Sequence, residues 1–179
     1  MIITISGKAG SGKSTVAEAL SKRLKVRHYS IGDLMRQMAR ERGISLAELG
    51  KTAEKDKSID KELDDRQIRL GKQENNFVID ARLAAFFIPN AELKVFLDCD
   101  DKVRAERILK DERRDEKGKD IDEIIKKITE REASERKRYA KYYKIDYCDK
   151  KLYGLIVNTT KINVKDVVSK ILKFIGKAD

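Results

Sequence analysis

The chain has no tryptophan, a single proline and a single histidine, His28. Its two cysteines, Cys99 and Cys148, share no metal-type spacing and have no partner histidines. That excludes a zinc ribbon and a disulfide-stapled secreted scaffold, and predicts two unpaired thiols in a reducing compartment. Aromatic residues make up only 6% of the chain, spread too thinly for a base-stacking RNA surface. The longest uncharged apolar run is LAAFFI (83–88), far short of the ~20 residues that cross a bilayer as a helix. The N-terminus carries neither a basic leader nor a cleavage-site pattern, which predicts a cytoplasmic protein without a membrane partner.

Charge is what the chain has in quantity. Charged and hydrophobic residues each account for 40% of its 179 residues, and the net charge is +10. Such a chain is apolar enough to fold and long enough for one domain with short insertions. The positive excess attracts anions, whether nucleic acid, acidic lipid or nucleotides. Both signs alternate along the helical segments, however, and most of these charges serve to solvate them.

Strands alternate with helical patterns, which predicts an α/β fold with a five-stranded parallel sheet covered by helices on both faces. The strands are expected at IITIS (2–6), VRHYS (26–30), 77–80 ending at Asp80, LKVFLDC (93–99) and LYGLIVNT (152–159). Residues 32–72 read as helical throughout, interrupted at Gly43 and capped at Ser45 and Ser58, so they form the expected insertion. A helix begins near Asp101, and the charge-dense stretch KDERRDEKGKD reads as an exposed loop. A long helix (roughly 120–145) and an amphipathic C-terminal helix from NVKDVV complete the pattern. The core is then 1–31, 73–108 and 121–179, with an insertion at about 32–72 and a lid at about 109–120.

The first strand runs into GKAGSGKST. Gly7, Gly12, Lys13 and Ser14 satisfy G-x-x-x-x-G-K-[ST], and Gly10 adds freedom inside the loop. Glycines let backbone N–H groups turn toward phosphate oxygens, and the helix that starts near Lys13 points its positive end at them. Lys13 supplies a mobile cation for the β- and γ-phosphates, and the Ser14 hydroxyl can ligate Mg²⁺. The whole loop, Gly7, Lys8, Ala9, Gly10, Ser11, Gly12, Lys13, Ser14 and Thr15, is therefore the expected ATP site. Asp80 ends the third strand on the carboxyl edge of the sheet, where a carboxylate can hold Mg²⁺.

No N-K-x-D follows, and no D-x-x-G follows the third strand, which argues against a GTPase. Arginines point instead to a small phosphorylated acceptor. Asp33 and Arg36 lie i, i+3 in SIGDLMR, after Ser30, where Arg36 can grip a phosphate while Asp33 caps or orients it. Arg82 sits two residues beyond Asp80. Arg131, Glu135, Arg138 and Tyr142 share one helix face, and either clamp phosphates or form an intrahelical ion-pair ladder. Arg104 and Arg107 precede the charged loop with Arg113 and Arg114, a candidate set of mobile arginines closing over triphosphate.

With these residues in place, the chain resembles nucleoside monophosphate kinases of P-loop fold, most closely the archaeal-type cytidylate kinases. SIGDLMR resembles the acceptor-phosphate segment of adenylate kinases. VIDARL is similar to the family's strand ending in an acidic residue, a small residue and Arg-Leu, and EREASERKRYAKYYKID to its helix after the lid. The resemblance implies acceptor contacts from Arg36, Arg82, Arg131, Glu135 and Arg138, and an adenine contact from Arg107. It also implies ATP and Mg²⁺ as cofactors and CMP or dCMP as substrates of a cytoplasmic monomer with no stable nucleic-acid partner. The chemistry implied is in-line phosphoryl transfer, with Lys13, Asp80, Arg82 and Arg131 as the catalytic set. Two departures stand out: Lys8-Ala9 where many relatives carry Pro-Pro or Ala-Pro, and Asp-Ala-Arg where Glu-Gly-Arg is usual. Adenylate kinases usually carry Asp-Gly-x-Pro-Arg there, so AMP is a less fitting acceptor. Another small-acceptor kinase (for AMP or UMP) and an RNA-associated ATPase are the alternatives.

Overall fold

The structure is a computed structural model that describes residues 1–111 and 120–176. Strand β1 (Ile2–Gly7) is buried along its whole length, as its β-branched run requires of a strand covered on both faces. It pairs in parallel with β3 (Phe77–Asp80) on one side and β4 (Leu93–Asp98) on the other. Strands β2 (Arg27–Ser30) and β5 (Leu155–Asn158) form the edges, giving the order β2-β3-β1-β4-β5. The connection after β1 leaves toward β2, and the one after β3 crosses to β4. A crevice therefore opens at the carboxyl ends of β1 and β3, where such sheets hold their ligands.

Eight α-helices are described: α1 (Lys13–Leu24), α2 (Ile31–Glu41), α3 (Leu46–Ala53), α4 (Lys57–Gln73), α5 (Ala84–Phe87), α6 (Asp101–Lys110), α7 (Ile121–Tyr143) and α8 (Val164–Phe174). Helices α1 and α8 pack Val16, Leu20, Val167 and Ile171 against Ile3, Ile5 and Val95 on one sheet face. On the other face Met35, Leu49 and Ile59 of α2–α4 pack with Phe77, Ile79 and Ile88. The helical insertion thus shares the core of the sheet rather than holding one of its own. Each fully buried Leu or Ile there is worth roughly 2 kcal/mol.

Local chemistry sets the helix ends. Ser45 and Glu48 form a reciprocal capping box at α3, which satisfies two orphan N–H groups at once. At α4 the cap is Asp56, which accepts from the Ser58 N–H at 2.9 Å, so Ser58 lies inside the helix and is not its cap. The last strand also starts later than its sequence suggests. Lys150–Leu152 forms a 3₁₀ turn capped by Asp149, and the Gly154 N–H reaches the Lys94 carbonyl before the ladder begins. The run LAAFFI contributes the single helical turn α5, with Ala84 and Ala85 buried. The expected lid, about 109–120 with Arg113 and Arg114, lies mostly outside the described residues.

Arg104 is no mobile lid arginine. It is 1% exposed and donates to the Ala9 carbonyl at 2.8 Å and to Asp101 and Glu132. A side chain on Gly10 (φ +75°) would meet the Arg104 carbonyl at 2.6 Å, so the phosphate loop lies directly on α6. The Arg104→Ala variant takes the donor from the Ala9 carbonyl and leaves Glu132 with the longer Lys8 contact, and is expected to lose about 3 kcal/mol of stability in urea denaturation. An unchanged midpoint would show that Arg104 does not support the loop.

Candidate active site

One cavity of about 710 Å³ occupies the crevice, walled by the phosphate loop, β3, and helices α2, α4, α6 and α7. Residues 9–15 line it, and the loop meets α1 at Gly12, whose left-handed φ of 92° suits glycine. Lys13 Nζ donates to the Lys8 carbonyl at 2.8 Å, bent back across the loop. Burial, and then the nearby Arg82 charge, hold the Lys13 ammonium well below the usual lysine range. Anionic phosphate in the cradle would oppose these influences by favouring the charged ammonium.

Asp80 is 2% exposed and is held by three neighbours. Ser14 Oγ donates to its Oδ2 at 2.9 Å and Ser30 Oγ at 3.2 Å, while His28 Nε2 stands 2.6 Å from Oδ1. Ser30 also caps α2 by accepting the Asp33 N–H. The Ser14–Asp80 pair sets a hydroxyl and a carboxylate side by side, hard oxygen donors of the kind Mg²⁺ takes together with phosphates and water. No group of three or more His, Cys, Asp or Glu able to hold a metal occurs among the described residues. The pair fits an ion carried in with a nucleotide.

Arg82, Arg131 and Glu135 line the same cavity. Arg82 Nε donates to Glu135 Oε2 at 2.7 Å and its Nη1 to the Gly7 carbonyl at 2.5 Å; Arg131 Nε donates to Glu135 Oε1 at 2.9 Å. Burial alone would raise the Glu135 carboxyl, but Arg82 and then Arg131 bring it down to about 2. The ion-pair ladder and the phosphate clamp are therefore compatible. Glu135 consumes one edge of each guanidinium, and both arginines still line the cavity. Arg36 lines it too, with its Nε and Nη2 on Asp33. Arg107 lines it near Gly12 and donates to Thr159 Oγ1 at 3.1 Å and to the Thr159 carbonyl at 2.6 Å.

Other expected residues stand elsewhere. Arg138 does not belong to the cavity wall; it is buried and donates to Asp60 Oδ1 at 2.7 Å. Its partner is a wall residue instead. Lys8 turns away to Glu132 at 3.7 Å, which places its charge on α7 and leaves only its carbonyl for Lys13. Gly7, Ser30 and Asp33 do not line the cavity; they bond to Arg82, Asp80 and Arg36, which do.

Asp60, Asp64 and Gln67 are wall residues that sequence reasoning missed. They stand i, i+4, i+7 on α4 and are buried among Ile59 and Leu63. Polar groups on the apolar stripe of a helix were the available signal. Asp60 Oδ2 and Gln67 Oε1 have no hydrogen-bond partner among the described residues. Tyr143 OH donates to Asp64 Oδ2, and burial pushes the Asp64 carboxyl up to about 7.

A family model described as the cytidylate kinase-like family matches residues 2–161, a span that contains every one of these side chains. The chain belongs to that family. Among its relatives, the cytidylate kinase of Pyrococcus horikoshii is 42% identical over 179 residues, 100% of this chain and 90% of that protein. That of Methanosphaera stadtmanae is 42% identical over 175 residues, 98% of each. Among solved structures, a shikimate kinase from Bacteroides thetaiotaomicron shares the fold with a TM-score of 0.66 at 17% identity, over 98% of each chain. This member of the cytidylate kinase-like family is thus a P-loop kinase in sequence and in fold. No helix among its described residues is long and apolar enough to cross a membrane.

Two of the buried carboxylates, Glu135 and Asp64, give this kinase opposite pH dependences. Glu135, lowered to about 2, contributes stability above its ordinary 4.5 that is lost as pH falls toward 2. Asp64, raised from 3.8 to about 7, holds its proton in the folded state, so its contribution is lost as pH rises from about 4 through 7. Thermal unfolding of Asp64→Asn should show a variant more stable than wild type at pH 8 and not at pH 4. The same offset at both values would mean that Asp64 does not titrate in this window.

Proposed function

We propose that this chain, as a cytoplasmic monomer, transfers the γ-phosphoryl group of ATP to CMP and dCMP, giving ADP and CDP or dCDP. One observation carries the reading: a single cavity is lined both by Lys13, Ser14 and Asp80 and by Arg36, Arg82 and Arg131. Membership of the cytidylate kinase-like family and the names of its archaeal relatives support the same substrate.

In this reading the cradle binds the ATP phosphates through its N–H groups and Lys13, and Arg107 lies near the adenine end. The insertion at 32–72 receives the acceptor, and the segment at 109–120 is the lid. Arg36, Arg82 and Arg131 hold the CMP phosphate in line with the γ-phosphorus. An acceptor oxygen attacks the γ-phosphorus and the bond to the β–γ bridging oxygen breaks, so ADP leaves. The nucleophile is already anionic, and no strong general base is needed. Catalysis is then positioning and charge stabilisation by Lys13 and the two guanidiniums that Glu135 fixes. Ser14 and Asp80 would hold Mg²⁺, which when bound neutralises charge on the β- and γ-phosphates.

The base end is assigned to α4. Asp60 Oδ2 and Gln67 Oε1 are acceptors in want of a donor. Cytosine offers a 4-amino group with two N–H donors, whereas uracil presents a carbonyl at that position and would set oxygen against oxygen. Arg138 is then the residue that keeps Asp60 in place.

Initial rates with CMP, dCMP, UMP and AMP test the assignment. CMP and dCMP should be the best acceptors, and Lys13→Ala should lose nearly all turnover while staying folded. Gln67→Leu should lose about tenfold in kcat/KM for CMP and much less for UMP, the cost of an unmade base contact. Poor use of CMP and dCMP, or an active Lys13→Ala protein, would refute the assignment.

A further inference from the structure

We propose that His28 is a positioning residue for the divalent cation that accompanies ATP: from β2 it holds the Asp80 carboxylate, which in turn orients the Ser14 hydroxyl. The inference rests on the reading that Ser14 and Asp80 serve Mg²⁺.

The relay is built by strand register. Ser30 stands opposite Asp80 and His28 opposite Val78 in the parallel β2–β3 ladder. Residues two apart on a strand share a face, so His28 and Ser30 meet Asp80 on one side of the sheet. The carboxylate oxygens are divided between them: Oδ2 accepts from Ser14 and Ser30, and Oδ1 faces His28 Nε2 at 2.6 Å. A carboxylate only accepts, so the Nε2–H donates.

The division has a consequence for the cation. Because Ser14 spends its hydroxyl proton on Asp80, the Ser14 lone pairs stay free for a metal. Aspartate is one methylene shorter than glutamate, so its reach depends on how it is held. Among the described residues no lysine or arginine bonds to Asp80; two hydroxyls and one imidazole hold it. Removing the imidazole frees Oδ1 to rotate, and with it the acceptor that aims Ser14. Groups that orient a metal ligand without touching the metal commonly tune affinity in this way. The imidazole is partly exposed on the edge strand β2, and the hydrogen bond it makes is to Asp80. Its effect should therefore fall on the metal and not on the nucleotide.

Calorimetric titration of the full chain with a non-hydrolysable ATP analogue, in EDTA and in Mg²⁺, tests this. Wild type should bind more tightly with Mg²⁺, and Asp80→Ala should lose that gain. The His28→Leu variant should lose about tenfold of it, or all of a smaller gain, with metal-free affinity unchanged. His28→Gln, whose amide nitrogen reaches about as far as Nε2, should restore most of the gain. Absence of a gain in wild type would overturn the metal reading and this inference together. A gain lost in Asp80→Ala but kept in His28→Leu would overturn the inference alone. So would His28→Leu weakening binding equally with and without Mg²⁺, or no rescue by glutamine.

Discussion

The buried carboxylate of Glu135 holds the site together. At 2% exposure it would cost several kcal/mol uncompensated, and two guanidiniums remove that cost. Arg82 reaches it from the end of β3 and Arg131 from one turn earlier on α7. Because Arg82 also donates to the Gly7 carbonyl, the same carboxylate ties α7 to the first residue of the phosphate loop. Its two oxygens take one guanidinium nitrogen from each arginine.

Helix α7 extends that logic along its length. Arg104 and Lys8 meet its Glu132 beneath the phosphate loop. Farther on, Arg138 holds Asp60, Lys137 holds Glu54, and Tyr142 OH donates to the carbonyls of Ala53 and Glu54. Tyr143 completes the seam on Asp64. One helix thus connects the phosphate loop to the helical insertion. The insertion is no separate body, since Leu49 and Ile59 share a core with Phe77 and Ile79.

The sheet was legible in the sequence because its strands are short β-branched runs between turn signals, and the cradle because its spacing is fixed by phosphate geometry. Arg82 and Arg131 could be singled out from their positions after β3 and along one helix face. What pairing they adopt could not, because i, i+4 spacing permits a ladder and a clamp alike, and only β3 brings Arg82 onto Glu135. Arg104 looked like a lid residue by its place before the charged loop; its burial depends on α6 lying under Gly10, a tertiary contact. Asp60, Asp64 and Gln67 were hidden among the many charges of α4. His28 carried no motif, and its meaning comes from the register of β2 on β3.

The central claim is that one cavity receives both nucleotides, with their phosphates between Lys13 and the Glu135-fixed arginines. The most direct measurement is calorimetric binding of a bisubstrate analogue in which adenosine and cytidine are joined through five phosphates. The account predicts affinity at least about a hundredfold above that of ATP or CMP alone, as expected when two sites are spanned by one ligand. Affinity no greater than that of ATP alone would show that Lys13 and these arginines do not act on a shared phosphate chain, and would contradict it.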